Sequence, residues 1–243
     1  MLKKLCFWCL FILPFSIAYA QEKKVDSTAV LILDRMSSIF GELKSLGFTS
    51  NISKDVVYAE DFFIKVFSES KVKLKGPDKF SVRVKGENKE DVYSYNGEQV
   101  IYYSYKNNIF SAADAPDNLI ETIDWLYDDF GIELTTADFL YPSFSSDFLK
   151  EMDVVEMLGI SRIGDKSAFH IAGSNSAMTV QLWISDDVYF LPMKILITYL
   201  DGPYAHQFQT DFSDWEINPD YPDSIFEFLP PPNATQITWM SQN

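Results

Sequence analysis

The sequence predicts an α+β fold, mainly β, in which a large curved antiparallel sheet carries helices lying across it. Two long blocks of the chain show period-two apolar alternation, and tight-turn tetrads join the runs within them. Helical spacing appears before the first block and again between the two. That order, helix, strands, helices, strands, favours segregated helices on a sheet over alternating βαβ units.

The chain opens with an export signal. Lys3 and Lys4 form a short positive region, Leu5 to Ile17 is apolar apart from Pro14 and Ser16, and Ala18-Tyr19-Ala20 supplies small residues for cleavage before Gln21. The apolar run is shorter than the roughly 20 residues that span a bilayer, so a cleaved signal over 1–20 and one domain over 21–243 are expected. Cys6 and Cys9 are the only cysteines and both lie in the signal. The mature chain would then have no disulfide, no thiolate metal site and no cysteine nucleophile, and with Gln21 at its start it would lack the cysteine that a bacterial lipid anchor needs. Loss of Lys3 and Lys4 leaves 18 basic against 35 acidic side chains, a formal charge of −17 in place of −15. Such a polyanion excludes charge-driven binding to nucleic acid or to anionic membrane surfaces. Hydrophobic residues make up 47% of the sequence, enough for a chain without disulfides to be held by burial.

Asp26 or Ser27 can cap a first helix in which Val30, Leu33, Ile39, Phe40, Leu43 and Leu46 recur at helical spacing, with Gly47 as its stop. From Phe48 to about Ala112 the period changes to two. Phe80, Val82 and Val84 point one way while Ser81, Arg83 and Lys85 point the other. Lys75-Gly76-Pro77-Asp78 and Tyr95-Asn96-Gly97-Glu98 read as turns joining neighbouring strands into a meander. A helical insertion spans about 116–158, with Leu119, Ile123, Leu126, Tyr127 and Phe130 on one stripe closed by Gly131 and shorter pieces at Ala137–Leu140 and Asp147–Met152. Strands resume at Ile160 and continue through Lys166–Ala172, Met178–Ser185, Pro192–Leu200 and His206–Trp215. In the run from Leu191 to Leu200 both faces are apolar, as in a strand that faces an apolar interior. Phe226-Glu227-Phe228 reads as a short edge strand before the rigid Pro230-Pro231-Pro232.

Catalytic patterns are missing from the sequence. His170 and His206 are the only histidines, and neither sits in a metal-ligand spacing. Gly173-Ser174-Asn175-Ser176-Ala177 does not match a nucleophile elbow and reads as a polar hairpin turn. Asp128-Asp129 and Asp186-Asp187 lie in no calcium-loop pattern and read as solvated pairs. Aromatic residues are abundant on the predicted strands. They either fill a core or line a roomy cavity, since a strongly curved sheet encloses more volume than its own side chains fill.

The second half carries a specific run: Gly164-Asp165, Phe169-His170-Ile171-Ala172, Gln181-Leu182-Trp183-Ile184, Leu191-Pro192-Met193-Lys194-Ile195, Gly202-Pro203-Tyr204 and Phe212-Ser213-Asp214-Trp215. The first half adds Pro77-Asp78-Lys79, Tyr95-Asn96-Gly97, Gly131-Ile132-Glu133-Leu134 and Ala137-Asp138-Phe139-Leu140. Over about 30–235 this resembles the family of predicted periplasmic proteins labelled DUF2092, which is similar in fold to the LolA/LolB-like lipoprotein carriers and receptors. The resemblance implies an incomplete antiparallel barrel with helices packed across its concave side around an apolar cavity. Candidates for the cavity wall are Phe62, Ile64, Phe80, Val82, Ile101, Tyr103, Trp183, Ile195, Ile197 and Phe208 on strands, with Trp125 from the helical insertion.

The function expected is that of a soluble, monomeric, non-enzymatic periplasmic carrier or binding protein whose partner is a lipid, an acyl chain or an acylated protein. It would use no cofactor or metal, bind no nucleic acid and insert stably in no membrane. The competing expectation is an envelope interaction or sensor protein with a filled core and a protein partner; a hydrolase would have to use His170 or His206.

Overall fold

A computed structural model describes residues 23–59, 62–132, 134, 138–200, 202 and 204–239. The expected export signal and both cysteines lie outside the described residues, as do Glu133, Ala137 and Pro203 of the motifs above.

The first helix, α1 (Ser27–Glu42), is capped by Asp26, whose carboxylate accepts from the N–H of Thr28 at 2.7 Å and of Ala29 at 3.2 Å. Its buried face is Ala29, Ile32, Leu33, Met36, Ser37 and Phe40. Val30 and Ile39, expected on that face, sit at its margin, and the helix ends before the expected stop at Gly47. Leu43 turns extended and Leu46 enters a strand, where it pairs with Leu74 on one side and Ile217 on the other. Ladder bonds and burial of Leu46 outweigh another helical turn. Gly47 serves a close approach instead, because a Cβ there would lie 2.2 Å from the Tyr221 hydroxyl.

The first strand block is a meander of β2 (Ser45–Ala59), β3 (Phe62–Lys75), β4 (Lys79–Gly86), β5 (Glu90–Tyr95), β6 (Gln99–Ser104) and β7 (Ile109–Asp114). The Asn96-Gly97 turn is held by the Asn96 side chain, which accepts from the N–H of Glu98 and Gln99. Next come α2 (Leu119–Phe130), a 3-10 turn at Asp138–Leu140 and α3 (Phe144–Glu151). Gly131 ends α2 in the left-handed region at φ 61°, a conformation that suits glycine. Tyr127, expected on the buried stripe, is 61% exposed.

The second block starts at Val154, earlier than Ile160. It comprises β8 (Val154–Ile163), β9 (Lys166–Ser174), β10 (Met178–Ser185), β11 (Pro192–Tyr199) and β12 (His206–Ile217). The β9–β10 hairpin is the expected polar turn, with the Asn175 side chain accepting from the N–H of Ala177 and Met178. Two short strands, β1 (Lys24–Val25) and β13 (Thr235–Gln236), complete one 13-stranded sheet in the order β1-β8-β9-β10-β11-β12-β2-β3-β4-β5-β6-β7-β13. All its pairs are antiparallel except β1 with β8 and β13 with β7. The two blocks join where β12 pairs with β2, and β1 and β13 stay apart, so the barrel is incomplete.

Phe226–Phe228 is no edge strand. The chain from Pro219 crosses the convex face of the first block as a strap, and only Thr235–Gln236 pairs, with β7. Pro219, Pro222 and Pro230 to Pro232 cannot donate to a ladder. Packing holds the strap instead: Tyr221 and Phe226 are buried, the Ser94 hydroxyl donates to the Phe226 carbonyl at 2.7 Å, and the Lys75 ammonium donates to the Tyr221 carbonyl at 2.9 Å.

The Gly47 contact gives a direct test of the strap. Gly47→Ala forces Tyr221 and Glu216 aside and should destabilise the fold by about 1–3 kcal/mol, as overpacked sites do. Urea denaturation measures it, and a Tyr221→Phe background, which removes the hydroxyl, should recover part of the loss.

Candidate functional site

Cross-strand register sorts the sheet's side chains onto two faces. The row Leu46, Leu74, Phe80, Tyr95, Val100 lies on the concave face, as do Phe48, Val72, Val82, Tyr93, Tyr102 and, further along the strands, Ile52, Ser68, Gly86. In the second block Phe208, Ile197 and Val180 share that face, as do Thr210, Ile195, Leu182 and Ile171.

The helical layer meets this floor at an aromatic cluster and, further along, at Gly173 of β9, where an added Cβ would lie 2.6 Å from Phe148 and 2.8 Å from Met152. Phe139, 1% exposed, packs on Phe40 at 5.0 Å between ring centroids, Phe212 at 5.3 Å, Phe48 at 5.7 Å and Trp215 at 6.1 Å. Serines knit α3 to α1: the Ser145 hydroxyl donates to Asp34 at 2.6 Å and the Ser145 N–H to the Ser37 hydroxyl at 3.2 Å. One end of α2 is fixed to the β3–β4 turn by the Leu119 N–H donating to the Pro77 carbonyl at 3.0 Å. Its other end carries Trp125 and Phe130, which close on Trp239 beyond β13. The Tyr141 hydroxyl donates to Asp124 of α2 at 2.7 Å; burial first, then that carboxylate, pushes its pKa up.

On each side of the cluster the floor is left uncovered. The first cavity, about 330 Å³, runs along β2, β3 and β4 under Ile123, Leu134 and Leu140. Its inner end is Phe80 (0% exposed), Leu74 and Val72, and its wall includes Phe48, Ile52, Val66, Val82, Val84 and Tyr93. Burial, with Tyr102 and Asp91 adding to it, pushes the Tyr93 hydroxyl's pKa up, so this ring stays neutral. Toward the opposite strand ends the lining turns polar, with Lys54, Glu87, Asn88 and Lys89. The second cavity, about 650 Å³, has Met178, Val180, Leu182, Ile195 and Ile197 as floor and Tyr127, Ile132, Phe139, Phe144 and Phe148 above. Its polar lining is Asp124, Asp138, Tyr141, Asp147 and Glu151. Ile123 and Leu134 belong to both cavities.

The residues singled out in the sequence fall in several places. Phe80 and Val82 line the first cavity, Ile195 and Ile197 the second. Phe208 lies on the same face, opposite Ile197 and Lys54. Ile64 faces that way near the far end of the β2–β3 hairpin, where it is 37% exposed, and Phe62 beside it is 52% exposed against Tyr58. Trp125 packs on Phe130 at 4.9 Å, away from both cavities. Ile101, Tyr103 and Trp183 project from the convex face: Tyr103 meets Phe228 of the strap at 5.2 Å, and Trp183 stacks on His170 at 4.3 Å. Val66, Val72, Leu74, Val84, Ile123, Leu134 and Leu140 were not singled out. The alternation of Val84 with Phe80 and Val82 was visible, but only strand register brings Val72 and Leu74 onto the same wall, and only tertiary packing brings Ile123, Leu134 and Leu140 over it.

Both histidines are taken up in ring stacks, His170 with Trp183 and a 3.0 Å contact to Gln181, His206 with Tyr199 and Phe63. Among the described residues no three His, Cys, Asp or Glu side chains cluster so as to hold a metal ion. No described helix is long and apolar enough to cross a membrane.

These features fall in a known family. DUF2092, described as predicted periplasmic protein, matches residues 29–240, and the chain belongs to that family. No curated protein matches it. Among solved structures it is similar to LprF from Mycobacterium bovis, at 11% identity over 78% of this chain and 93% of that one with a TM-score of 0.45. LppX from Mycobacterium tuberculosis gives 11% identity over 78% and 96% with a TM-score of 0.39. A LolA superfamily protein from Nitrosomonas europaea gives 16% identity over 82% and 97% with a TM-score of 0.34. These are distant likenesses, and no function is transferred from them.

Phe139→Ala should cost about 3–5 kcal/mol, the range for deleting a buried aromatic ring, read as a lowered urea midpoint. The second cavity, which Phe139 lines, should gain space for a hydrophobic probe dye in the folded protein.

Proposed function

We propose that this chain is a non-enzymatic periplasmic carrier or binding protein that holds a lipid, an acyl chain or the acyl part of a lipoprotein between its sheet and its helices. The observation that carries this reading is the first cavity, an apolar space of about 330 Å³ closed by Phe80 and Leu74 at one end and polar at the other. That size and lining are those of ligand pockets. Fully buried apolar space is normally filled by side chains, since protein interiors pack like organic crystals. An uncovered floor beside a well-packed cluster therefore favours a bound apolar guest. A sensor with a filled core would have no need of that floor. The phenylalanines, valines and leucines of the wall offer contact without a nucleophile, which suits binding and release.

The ligand reading predicts a chain-length series. Binding of saturated acyl chains should tighten by up to about fourfold per methylene, from about 0.8 kcal/mol for each CH₂ buried, and level off when the cavity is full. Displacement of a fluorescent fatty acid measures it. Val82→Trp, which fills the cavity from its floor, should abolish uptake while far-UV circular dichroism keeps its strand signature. A chain-length series with no slope, or uptake unchanged in a folded Val82→Trp protein, would contradict the reading.

A further inference from the structure

The two cavities differ in the charge of their rims, and that difference says which head group the ligand of the first cavity carries. Lys54 extends from the concave face of β2, opposite Val66 and Phe208, and Lys89 stands in the β4–β5 turn beside Gly86. Both line the open end of the first cavity, and neither joins an ion pair with a described residue. Asn88, between Glu87 and Lys89, also lines this end, and its side-chain oxygen accepts from the Lys106 ammonium at 3.4 Å. Among the described residues of the lining, Glu87 is the carboxylate that opposes these cations. Asp91, buried on β5, shares the concave face opposite Val84 but does not line the cavity. The second cavity has Asp124, Asp138, Asp147 and Glu151 around it and, among the described residues, no lysine or arginine in its lining.

In a chain of formal net charge −15, unpaired lysines gathered at one cavity mouth run against the overall balance. The general field is screened within about 8–10 Å at physiological salt, so the local pair governs a group seated between them. From Phe80 to Gly86 the floor extends roughly 20 Å at about 3.3 Å per residue, with its apolar end inward and its cationic end outward.

Building on the carrier reading, we propose that the first cavity binds a single-chain anionic amphiphile, tail toward Phe80 and Leu74 and carboxylate or phosphate head between Lys54 and Lys89. The tail contributes the apolar contact and the lysines choose the head.

Calorimetric titration of the full mature chain with dodecanoate, dodecyl phosphate, dodecanol and dodecyltrimethylammonium separates the two claims. The anionic probes should bind about tenfold tighter than dodecanol, the gain of two partly exposed charge pairs, and the gap should close in high salt. Lys54→Met with Lys89→Met should bring the anionic probes down to the affinity of dodecanol measured on the same variant; Lys54→Glu, at an exposed position, should reverse the preference. Preference for the carboxylate alone points to a fatty acid, and for the phosphate alone to a phospholipid-derived head; either supports the proposal. Equal binding of all four probes, or preference for the ammonium, overturns this inference and leaves the carrier reading standing. Binding of none overturns both.

Discussion

Phe139 rests on Phe40, Phe48, Phe212 and Trp215, and through that contact the helical layer meets the sheet. The five rings come from α1, from the 3-10 turn and from the strands β2 and β12, where the two meanders join. A sheet this curved cannot be covered edge to edge by three helices of 16, 12 and 8 residues. Each is therefore held locally, α1 and the 3-10 turn at the cluster, α3 at Gly173 and α2 at its two ends, and the floor between these seats stays open. Both cavities follow from that one geometric mismatch. The cluster adds to the burial of Ala29, Leu33 and Met36 in seating α1 and to the contact of Phe148 and Met152 with Gly173 in seating α3; with full coverage there would be no space to bind anything.

The convex side is organised by different means. The proline-rich strap after β12 cannot join the sheet, so it lies flat on it, with Tyr221 and Phe226 buried and Lys75 bonded to Tyr221 and Asp223. It then rounds the β7 edge and brings Trp239 against Trp125 and Phe130 of α2. The same segment thus clasps the convex face and one end of the cavity's roof. This links the stability of the outer face to the position of α2, whose Ile123 borders both cavities.

Much of the architecture was legible in the sequence because local rules and tertiary structure agree there. Asp26 caps α1, Gly131 stops α2, and Asn96 and Asn175 build hairpin turns, all as their residue types suggest. Where tertiary pairing competes, local reading fails: Leu46 has helical spacing yet its neighbours Leu74 and Ile217 draw it into β2. The cavity wall was legible only in part, for a specific reason. Alternation tells that Phe80 and Val82 share a face, but not whether Ile101 or Tyr103 on another strand shares it, since one residue of register inverts the answer. Aromatic content misled in the same way. Trp183 and Tyr103 are spent on the convex face, whereas valines and leucines share the first cavity's wall with Phe48, Phe80 and Tyr93.

The central claim is that the uncovered floor exists to hold a guest, and what the protein carries in its own compartment tests it most directly. Native mass spectrometry of the chain purified from its own envelope, without detergent, should show a bound species several hundred daltons above the mature mass that is released on denaturation and extracts into organic solvent. Val82→Trp should lack it. A single unliganded mass from the native envelope, together with no uptake of added fatty acid, would contradict the account.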